Sequence, residues 1–356
     1  MSMTNQKYYR FKDDLMSYPD AWCYVVWSPR GSGKTYSTLK DAYEDKIPIV
    51  YMKRTQEDVN FICQKPERGF DASPYVPINR DTGYNIHGNV IDKGVGGFWD
   101  DDDEDGLPIA YCFSLNVAKK IKGFDTSRCD WMVLDEFIPL PGERVNRKEG
   151  ELVLECYRTI ARDREKRGRG PLKLILFANA EEISTPITNT LEIIDAMADL
   201  NASGESHMYL EDRGILLHHI TPEEIPIQES EKTGIYKAMQ GTAWFDKSFG
   251  GEFTNNDFSN VRPQSLKGYR GFIHIHYKNH DYFIYRNDAG FYYMCKSRTK
   301  CLFSYNLNRE NEQKRFYMEQ QIDLWNECAG EKMKFQSYSM YDLIINFTKL
   351  FNVRRT

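Results

Sequence analysis

The sequence predicts an α/β protein of two domains, in which a larger domain built on a buried parallel sheet precedes a smaller α+β domain. The chain has 356 residues, more than a single hydrophobic core usually organises. Through the first 200 residues, short apolar runs alternate with helical patterns, which is typical of βαβ units. Between residues 268 and 295, apolar and polar residues alternate instead, which is typical of antiparallel strands.

The elements of the larger domain are predicted from these apolar runs. An amphipathic segment through Leu15 comes first, and a hairpin is predicted at residues 84–92. The remaining runs are short enough for strands buried on both faces, and the pattern after the first of them is helical. In chain order they are strand 22–27, helix 35–43 and strands 47–53, 109–115, 129–134 and 173–177.

The C-terminal part of the chain differs in pattern. Residues 201–245 are polar with a helical pattern interrupted by two prolines, and they predict a helical linker. Turn signals at 278–281 and 287–290 predict an antiparallel meander, and two helical segments follow it. We therefore predict domains over residues 1–200 and 246–356, joined by residues 201–245.

The charge of the chain excludes a uniformly basic protein that coats nucleic acid or lipid. The formal charge is −5, from 47 Lys and Arg against 52 Asp and Glu. Residues 246–356 carry 17 basic and 12 acidic side chains, net +5, which leaves 30 against 40, net −10, for residues 1–245. This asymmetry is a weak indication that the C-terminal part contacts a polyanion, and an ordinary solvated surface would also produce it.

The eight cysteines are scattered, with no Cys-x-x-Cys pair and no histidine spacing suited to zinc. The N-terminus has no apolar signal segment, and no apolar stretch approaches the ~18 residues of a membrane span. We expect a soluble, intracellular protein that does not involve a membrane.

A glycine-rich loop of sequence SPRGSGKT lies between the first predicted strand and helix. Backbone N–H groups and the helix dipole at such a turn together hold an anion. Lys34 can reach the β- and γ-phosphates of a nucleotide, and the Thr35 hydroxyl can ligate the Mg²⁺ that bridges them. The predicted nucleotide-binding residues are Ser28, Pro29, Arg30, Gly31, Ser32, Gly33, Lys34 and Thr35.

One position of this loop departs from the usual pattern. G-x-x-x-x-G-K-[ST] requires glycine where this chain has Ser28. Because a serine followed by proline tolerates an extended conformation, the loop is still feasible.

Two acids end the strand predicted at 129–134, about a hundred residues after Lys34. Ligands of open α/β sheets bind at the C-terminal edge of the strands, so Asp135 suits a carboxylate that holds Mg²⁺ directly or in its second shell. Glu136 can polarise an attacking water as a general base. The pair indicates hydrolysis, and the alternative is an acidic turn after a strand.

Asn179 follows the strand predicted at 173–177. Its side chain could hydrogen-bond a γ-phosphate or an attacking water. The residues alone equally allow an asparagine that initiates a turn.

Residues 144–173 form a basic helical stretch with ten Lys and Arg against five Asp and Glu. Such faces are usually solvated. An arginine presented to the γ-phosphate of a neighbouring subunit would instead accelerate hydrolysis by ~10³-fold or more, and it requires an oligomer. Arg30, inside the loop, is positioned to contact phosphate oxygens or Glu136. Lys53 and Arg54 could touch DNA in a central channel, although ordinary strand-end charges explain them better.

Taken together, these motifs resemble the DNA-packaging (encapsidation) ATPases of small tailed phages with protein-primed linear genomes, which are relatives of the large terminase motors. The resemblance rests on the ordered set SPRGSGKT, YMKR, VLDEF, ARDRE and LILFANA, which spans most of residues 20–200. It extends more weakly through the aromatic meander at 268–295.

The resemblance implies a P-loop (ASCE-type) ATPase domain that uses ATP and Mg²⁺ to drive double-stranded DNA into a preformed phage prohead. It implies a homo-oligomeric ring, expected to be a pentamer, at the portal vertex in the host cytoplasm. A structural RNA is a further expected partner.

Site residues are carried over by motif. Lys34 belongs to the phosphate loop, Arg30 is similar to the loop arginine of these motors, Glu136 to their catalytic base and Asn179 to their coupling residue. Arg162, the first arginine of ARDRE, matches the finger that acts on a neighbouring subunit. Arg158 and Arg164 are the fallback positions for that finger.

The resemblance also implies an RNase H-like C-terminal domain that lacks nuclease acids. Two-metal nucleases need carboxylates that converge around metals ~4 Å apart. The predicted central strand, FIHIH, contains no acid, and Asp281 and Asp288 fall at predicted turns. We therefore predict no nuclease activity, and we interpret His274, His276 and His280 as exposed or sheet-packing side chains.

Two other functions remain open. One is a helicase- or recombinase-like ATPase, although no helicase motif set is evident. The other is an ATP-binding protein whose nucleotide only fixes a ring. Glu136 discriminates this ring-assembly protein from a motor, since only hydrolysis requires a catalytic base.

Overall fold

The computed structural model describes residues 8–67, 69–101, 106–140, 142–143, 145–162, 164–225, 232, 234–245, 248–249, 253 and 256–353. The chain divides into two compact units. Met1–Leu191 and Asp199–Asn255 form the first, and Glu192–Ala198 and Asn256–Thr356 form the second. The first unit therefore extends beyond the predicted boundary at residue 200, and a short segment before residue 199 belongs to the second unit.

A nine-stranded sheet organises the described part of the first unit. Its strands are β1 (Cys23–Ser28), β2 (Ile49–Lys53), β3 (Ile86–Asp92), β4 (Val95–Asp100), β5 (Ala110–Ser114), β6 (Trp131–Leu134), β7 (Lys173–Asn179), β8 (His207–Leu210) and β9 (Ile215–His219). The strand order is β3-β4-β5-β2-β6-β7-β1-β9-β8. The six strands from β5 to β9 in this order pair in parallel.

Burial explains why the central strands form. Every residue of β1 and β6 is buried, because helices cover both faces of a parallel sheet. The predicted strands are confirmed. The hairpin predicted at residues 84–92 lies further along the chain, because residues 86–92 form only its first strand, β3, and β4 is its second.

The helices of the first unit are mostly short. They are α1 (Phe11–Ser17), α2 (Lys34–Glu44), α3 (Gln56–Ile62), α4 (Val76–Thr82), α5 (Ala118–Ile121), α6 (Glu149–Ala161), α7 (Pro186–Thr190), α8 (Ile194–Ser203), α9 (Gly234–Met239) and α10 (Ala243–Phe245). The boundary between the two units falls inside α8. On α1, Phe11 packs edge-on against Tyr24 and Trp131, which anchors this helix on the sheet.

The helical linker predicted over residues 201–245 is wrong for β8 and β9. These strands form an antiparallel hairpin, and β9 extends the sheet in parallel with β1. All five residues of β9 are buried, so the strand belongs to the core. Its apolar run, which follows a turn at Gly214, has only three residues before two histidines. In a polar stretch of sequence, such a short run does not stand out as a strand.

The second unit contains a five-stranded sheet of order β13-β10-β11-β12-β14 in its described residues. Its strands are β10 (Tyr269–Tyr277), β11 (His280–Asn287), β12 (Tyr292–Cys295), β13 (Phe303–Asn306) and β14 (Met333–Phe335). β10, β11 and β12 form the predicted antiparallel meander, and β13 and β14 pair in parallel at the edges. The helices are α11 (Glu310–Phe316), α12 (Ile322–Ala329), α13 (Tyr338–Ile345) and α14 (Phe347–Leu350), with a π-helical turn at Tyr317–Gln321.

Among the helices that the structure describes, none combines the length and the apolar character required to cross a membrane.

Candidate nucleotide-binding site

The glycine-rich loop connects the end of β1 to the start of α2, as the sequence predicts. Gly31 and Gly33 have φ angles of +81° and +79°, in the left-handed region that favours glycine. A Cβ atom on Gly33 would also lie 2.7 Å from the ring of Tyr8. The loop conformation therefore depends on glycine at position 33 for two independent reasons.

Lys34 is the first residue of α2, and its ammonium is buried. Its Nζ donates to Ser28 Oγ and lies 3.4 Å from Ser32 Oγ, and the two serine hydroxyls are 2.7 Å apart. Burial lowers the pKa of Lys34 to about 8, and nearby Asp135 and Glu136 oppose this shift. Ser28, which replaces the glycine of the usual pattern, therefore supplies a hydrogen-bond acceptor for the Lys34 ammonium.

Asp135 follows β6 and contacts three donors from two elements, α2 and β2. Thr35 Oγ1 donates to Asp135 Oδ2 at 3.1 Å, and Tyr51 Oη donates to the same oxygen at 2.8 Å. Lys53 Nζ is 3.5 Å from it. The threonine hydroxyl and the carboxylate are hard oxygen ligands of the kind that Mg²⁺ prefers, and their short separation suits a shared ion.

Glu136 has a strained backbone and a mostly exposed side chain. Its φ angle of +58° is uncommon for a residue with a Cβ atom, and such strain concentrates at functional sites. Lys53 Nζ lies 3.2 Å from Glu136 Oε2. Burial lowers the pKa of Lys53, but Asp135 and Glu136 raise it more, so its net shift is upward.

Arg54 holds the main chain around Glu136. Its Nη2 donates to the carbonyl oxygens of Glu136 at 3.0 Å and of Phe137 at 2.9 Å. Its other nitrogens pair with Glu143 Oε2 at 2.7 Å and Glu149 Oε1 at 3.0 Å. Burial raises the pKa of Glu149, and Arg54 counteracts that shift.

Sequence reasoning missed this role of the basic pair at the end of β2. Both are expected to be ordinary strand-end charges, with DNA contact as the alternative. Instead, Lys53 pairs with Asp135 and Glu136, and Arg54 holds the main chain of Glu136. The usable signal was strand adjacency, because β2 pairs with β6 in the register Met52↔Leu134. This register places the residues that follow each strand side by side at one edge of the sheet.

The loop, the two acids and Asn179 meet at one cavity of about 230 Å³. The lining consists of residues 30–36 together with Asp135, Glu136, Ala178 and Asn179. Asn179 reaches this position because β7 pairs with β1 in the register Ser28↔Asn179. Arg30 is exposed at the cavity.

Two loop residues lie outside this lining. Ser28 Oγ accepts a hydrogen bond from Lys34 Nζ. Pro29 is buried, and its carbonyl oxygen accepts from Ser28 Oγ at 2.6 Å.

The arginines of the basic stretch separate into two kinds. Arg158 and Arg162 are exposed in the last turn and at the C-terminus of α6. Arg164 is 2% exposed and donates to Cys129 O, to Gly170 O at 2.9 Å and to Asp130 Oδ1 at 2.6 Å. Its prediction as a fallback finger is therefore wrong, because its guanidinium is fully engaged within its own subunit.

Two solved structures resemble the chain over nearly its whole length. "The Phi-28 gp11 DNA packaging Motor" matches with a TM-score of 0.59 and 17% identity, covering 99% of this chain and 100% of that chain. "The bacteriophage Phi-29 viral genome packaging motor assembly" matches with a TM-score of 0.63 and 14% identity, covering 97% of this chain and 99% of that chain. The chain has the fold of these two motor proteins. No protein-family model and no curated protein sequence matches it.

Proposed function

We propose that the chain is the ATPase of a viral DNA-packaging motor, which hydrolyses ATP and moves double-stranded DNA into a preformed prohead. The proposal is carried by one observation: the glycine-rich loop and the acids after β6 surround one cavity, in a chain that matches two packaging motors from end to end. Neither part suffices by itself, since a fold does not determine a function.

The sheet order supports an ASCE-type P-loop domain. β7 lies between β1, which leads into the loop, and β6, which leads into the acids. This order places Asn179 between the nucleotide loop and Glu136, where its amide can contact the γ-phosphate or the attacking water.

The residues of the cavity suit distinct parts of ATP hydrolysis. Lys34 and Arg30 contact phosphate oxygens, and the Glu136 carboxylate accepts a proton from the attacking water. Thr35 and Asp135 would hold Mg²⁺, which neutralises charge on the β- and γ-phosphates when bound. Lys53 orients the Glu136 carboxylate.

We further propose that the chain works as a homo-oligomeric ring, a pentamer, in which Arg162 acts on the nucleotide of the neighbouring subunit. The support for this role is exposure, because Arg162 is exposed whereas Arg164 is buried and hydrogen-bonded within its own subunit. Of the two fallback positions for the finger, Arg158 therefore remains. If Arg162→Ala and Glu136→Gln subunits are mixed, some interfaces combine an intact arginine with an intact acid. Mixed rings should therefore hydrolyse ATP although neither variant does alone, and the absence of rescue at every mixing ratio would argue against a trans role.

The second unit is proposed as an RNase H-like domain without nuclease activity that contacts DNA, the portal or a structural RNA. Its supports are the five-stranded mixed sheet and a first strand, β10, whose sequence contains no acid. Asp281 instead contacts His274 at 2.8 Å and His276 at 2.9 Å. DNA contacts should be mostly to phosphate, and the affinity should fall steeply with salt. The proposed place of action is the host cytoplasm, transiently at the prohead portal vertex.

The test is the substitution Glu136→Gln, with Glu205→Gln at an exposed position before β8 as the matched control. Glu136→Gln should retain ATP binding and lose DNA-stimulated phosphate release, because the amide cannot accept the proton of the attacking water. Glu205→Gln should behave like the natural chain. Undiminished turnover by Glu136→Gln would reject the assigned role. Full biological function of Glu136→Gln despite lost turnover would favour a protein whose bound ATP only fixes a ring.

A further inference from the structure

We propose that Asp14, His207 and His218 form a binding site for one divalent transition-metal ion of the type of Zn²⁺. These residues belong to α1, β8 and β9 in the first unit, and none of them lines the nucleotide cavity. The proposal does not depend on ATP hydrolysis.

The fold places the three side chains together. His207 and His218 are direct partners across the antiparallel β8–β9 hairpin, so both project from the same face of the sheet. Their ring centroids are 3.8 Å apart. Asp14 reaches the pair from α1, and one ligand atom from each of the three residues lies within 4.8 Å of the others.

The ligand distances suit a shared ion. Ligand atoms bound ~2.1 Å from one tetrahedral ion lie ~3.4 Å from one another. Asp14 Oδ1 and His207 Nε2 are already 3.3 Å apart, and Asp14 Oδ2 and His218 Nδ1 are 2.8 Å apart. These two contacts use different oxygens of Asp14, and one ligand atom from each of the three residues lies within 4.8 Å of the others. Binding to one ion therefore requires the most distant pair of ligand atoms to close by no more than ~1.4 Å.

The outer contacts of the ligands support this assignment. His218 Nε2 is 3.0 Å from Glu224 Oε1, and His207 Nδ1 is 2.7 Å from Ser206 Oγ. Metal-bound histidines generally donate their second ring N–H to such a carboxylate or oxygen, which fixes the tautomer and directs the other nitrogen at the ion. In the tautomers that donate to these outer partners, Nδ1 of His218 and Nε2 of His207 direct their lone pairs at Asp14.

Each ring nitrogen that faces Asp14 carries either a proton, as the N–H donor of a hydrogen bond, or a lone pair directed at a metal ion. Two imidazole nitrogens and one carboxylate oxygen form a common transition-metal set, and they leave a fourth position for water. Asp14 and His218 are buried, whereas the His207 side chain is 28% exposed, which provides an entry path.

The site is linked to the glycine-rich loop through Tyr9. Tyr9 Oη donates to Asp14 Oδ2 at 2.8 Å. The main chain of Tyr9 donates to Ser32 O at 2.9 Å and accepts from Ser37 Oγ. An ion bound between α1 and the β8–β9 hairpin would therefore stabilise the segment around Tyr9, which hydrogen-bonds the glycine-rich loop.

The experiment uses the full chain, stripped with a chelator and titrated with Zn²⁺ by calorimetry, together with Co²⁺ as a spectroscopic probe. We expect one Zn²⁺ per chain and the visible absorption of a low-symmetry Co²⁺ site. His207→Ala should weaken Zn²⁺ binding by more than ~100-fold, and Glu224→Gln, which removes only an outer contact, by ~10- to 100-fold. Both side chains are partly exposed, so these variants should fold.

The matched control is His276→Ala, which removes a histidine from the exposed cluster on β10 and β11. It should bind Zn²⁺ like the natural chain. Loss of binding in His276→Ala, equal binding by His207→Ala, or no stoichiometric binding by the natural chain would each overturn the proposal. Absent binding would mean that protons hold the Asp14 cluster together.

Discussion

Replacing Arg54 with alanine tests whether a buried guanidinium holds the acidic edge of the nucleotide cavity. The Arg54 side chain is 12% exposed and contacts Glu136 O, Phe137 O, Glu143 and Glu149. Removing one partner of a buried ion pair costs ~3–5 kcal/mol, because the other charge stays buried without compensation. Glu149, at 3% exposure, is the carboxylate that would be left in this state.

The contacts divide this expected loss unequally. Glu143 is solvated, so its ion pair should contribute no more than ~1 kcal/mol. Most of the lost unfolding free energy therefore comes from the Glu149 carboxylate, which stays buried without a partner charge. If so, Glu149→Gln in the Arg54→Ala background should recover ~1–3 kcal/mol, because it removes that charge.

The assay is urea unfolding followed by tryptophan fluorescence, with the slope of the transition compared among variants. Arg167→Ala is the matched control, since Arg167 is 54% exposed and pairs with Asp125 at 66% exposure. It should lose no more than ~1 kcal/mol. An unfolding free energy of Arg54→Ala within ~1 kcal/mol of the natural chain, or no recovery in the double variant, would refute this account of the site.

Two further predictions concern the same cavity. Lys53→Met should lower kcat at least ~10-fold with little change in ATP affinity, because the Glu136 carboxylate loses the ammonium that orients it. An unchanged kcat, measured by phosphate-release kinetics, would contradict this prediction. Gly33→Ala should abolish ATP binding in a fluorescent-nucleotide assay, because it combines the left-handed φ with a collision with Tyr8. The control is Gly83→Ala, because Gly83 has a similar φ of +81° and a Cβ atom there would meet open space. This variant should lose only ~1 kcal/mol of stability and bind ATP normally. If the two variants bind ATP equally, the Tyr8 contact is excluded as a cause.

Local patterns predicted the parts of the molecule that depend on neighbours in sequence. The glycine-rich loop, its flanking strand and helix, and the meander of the second unit were all predictable, because turn residues and apolar periodicity act over a few residues. Asp135 and Glu136 were predictable as well, since they end an apolar run at the edge where ligands of parallel sheets bind.

The remainder depends on contacts between distant segments. Arg162 and Arg164 are two residues apart, and only the turn after α6 decides that the second is buried against Asp130 while the first is exposed. The place of β9 in the sheet required knowledge of its pairing with β1, because its own apolar run is short. The ion pairs of Arg54 likewise follow from the order of β2 and β6, which the sequence does not specify.

The most direct measurement is of DNA packaged into proheads. Proheads are incubated with linear double-stranded DNA, ATP and either the natural chain or Glu136→Gln, and the DNA protected from DNase is quantified. We expect the natural chain to consume ATP and protect genome-length DNA, and Glu136→Gln to bind ATP but protect none. Packaging by Glu136→Gln at the natural rate, or no ATP consumption by the natural chain in the presence of proheads and DNA, would contradict the proposal that hydrolysis in this cavity moves the duplex.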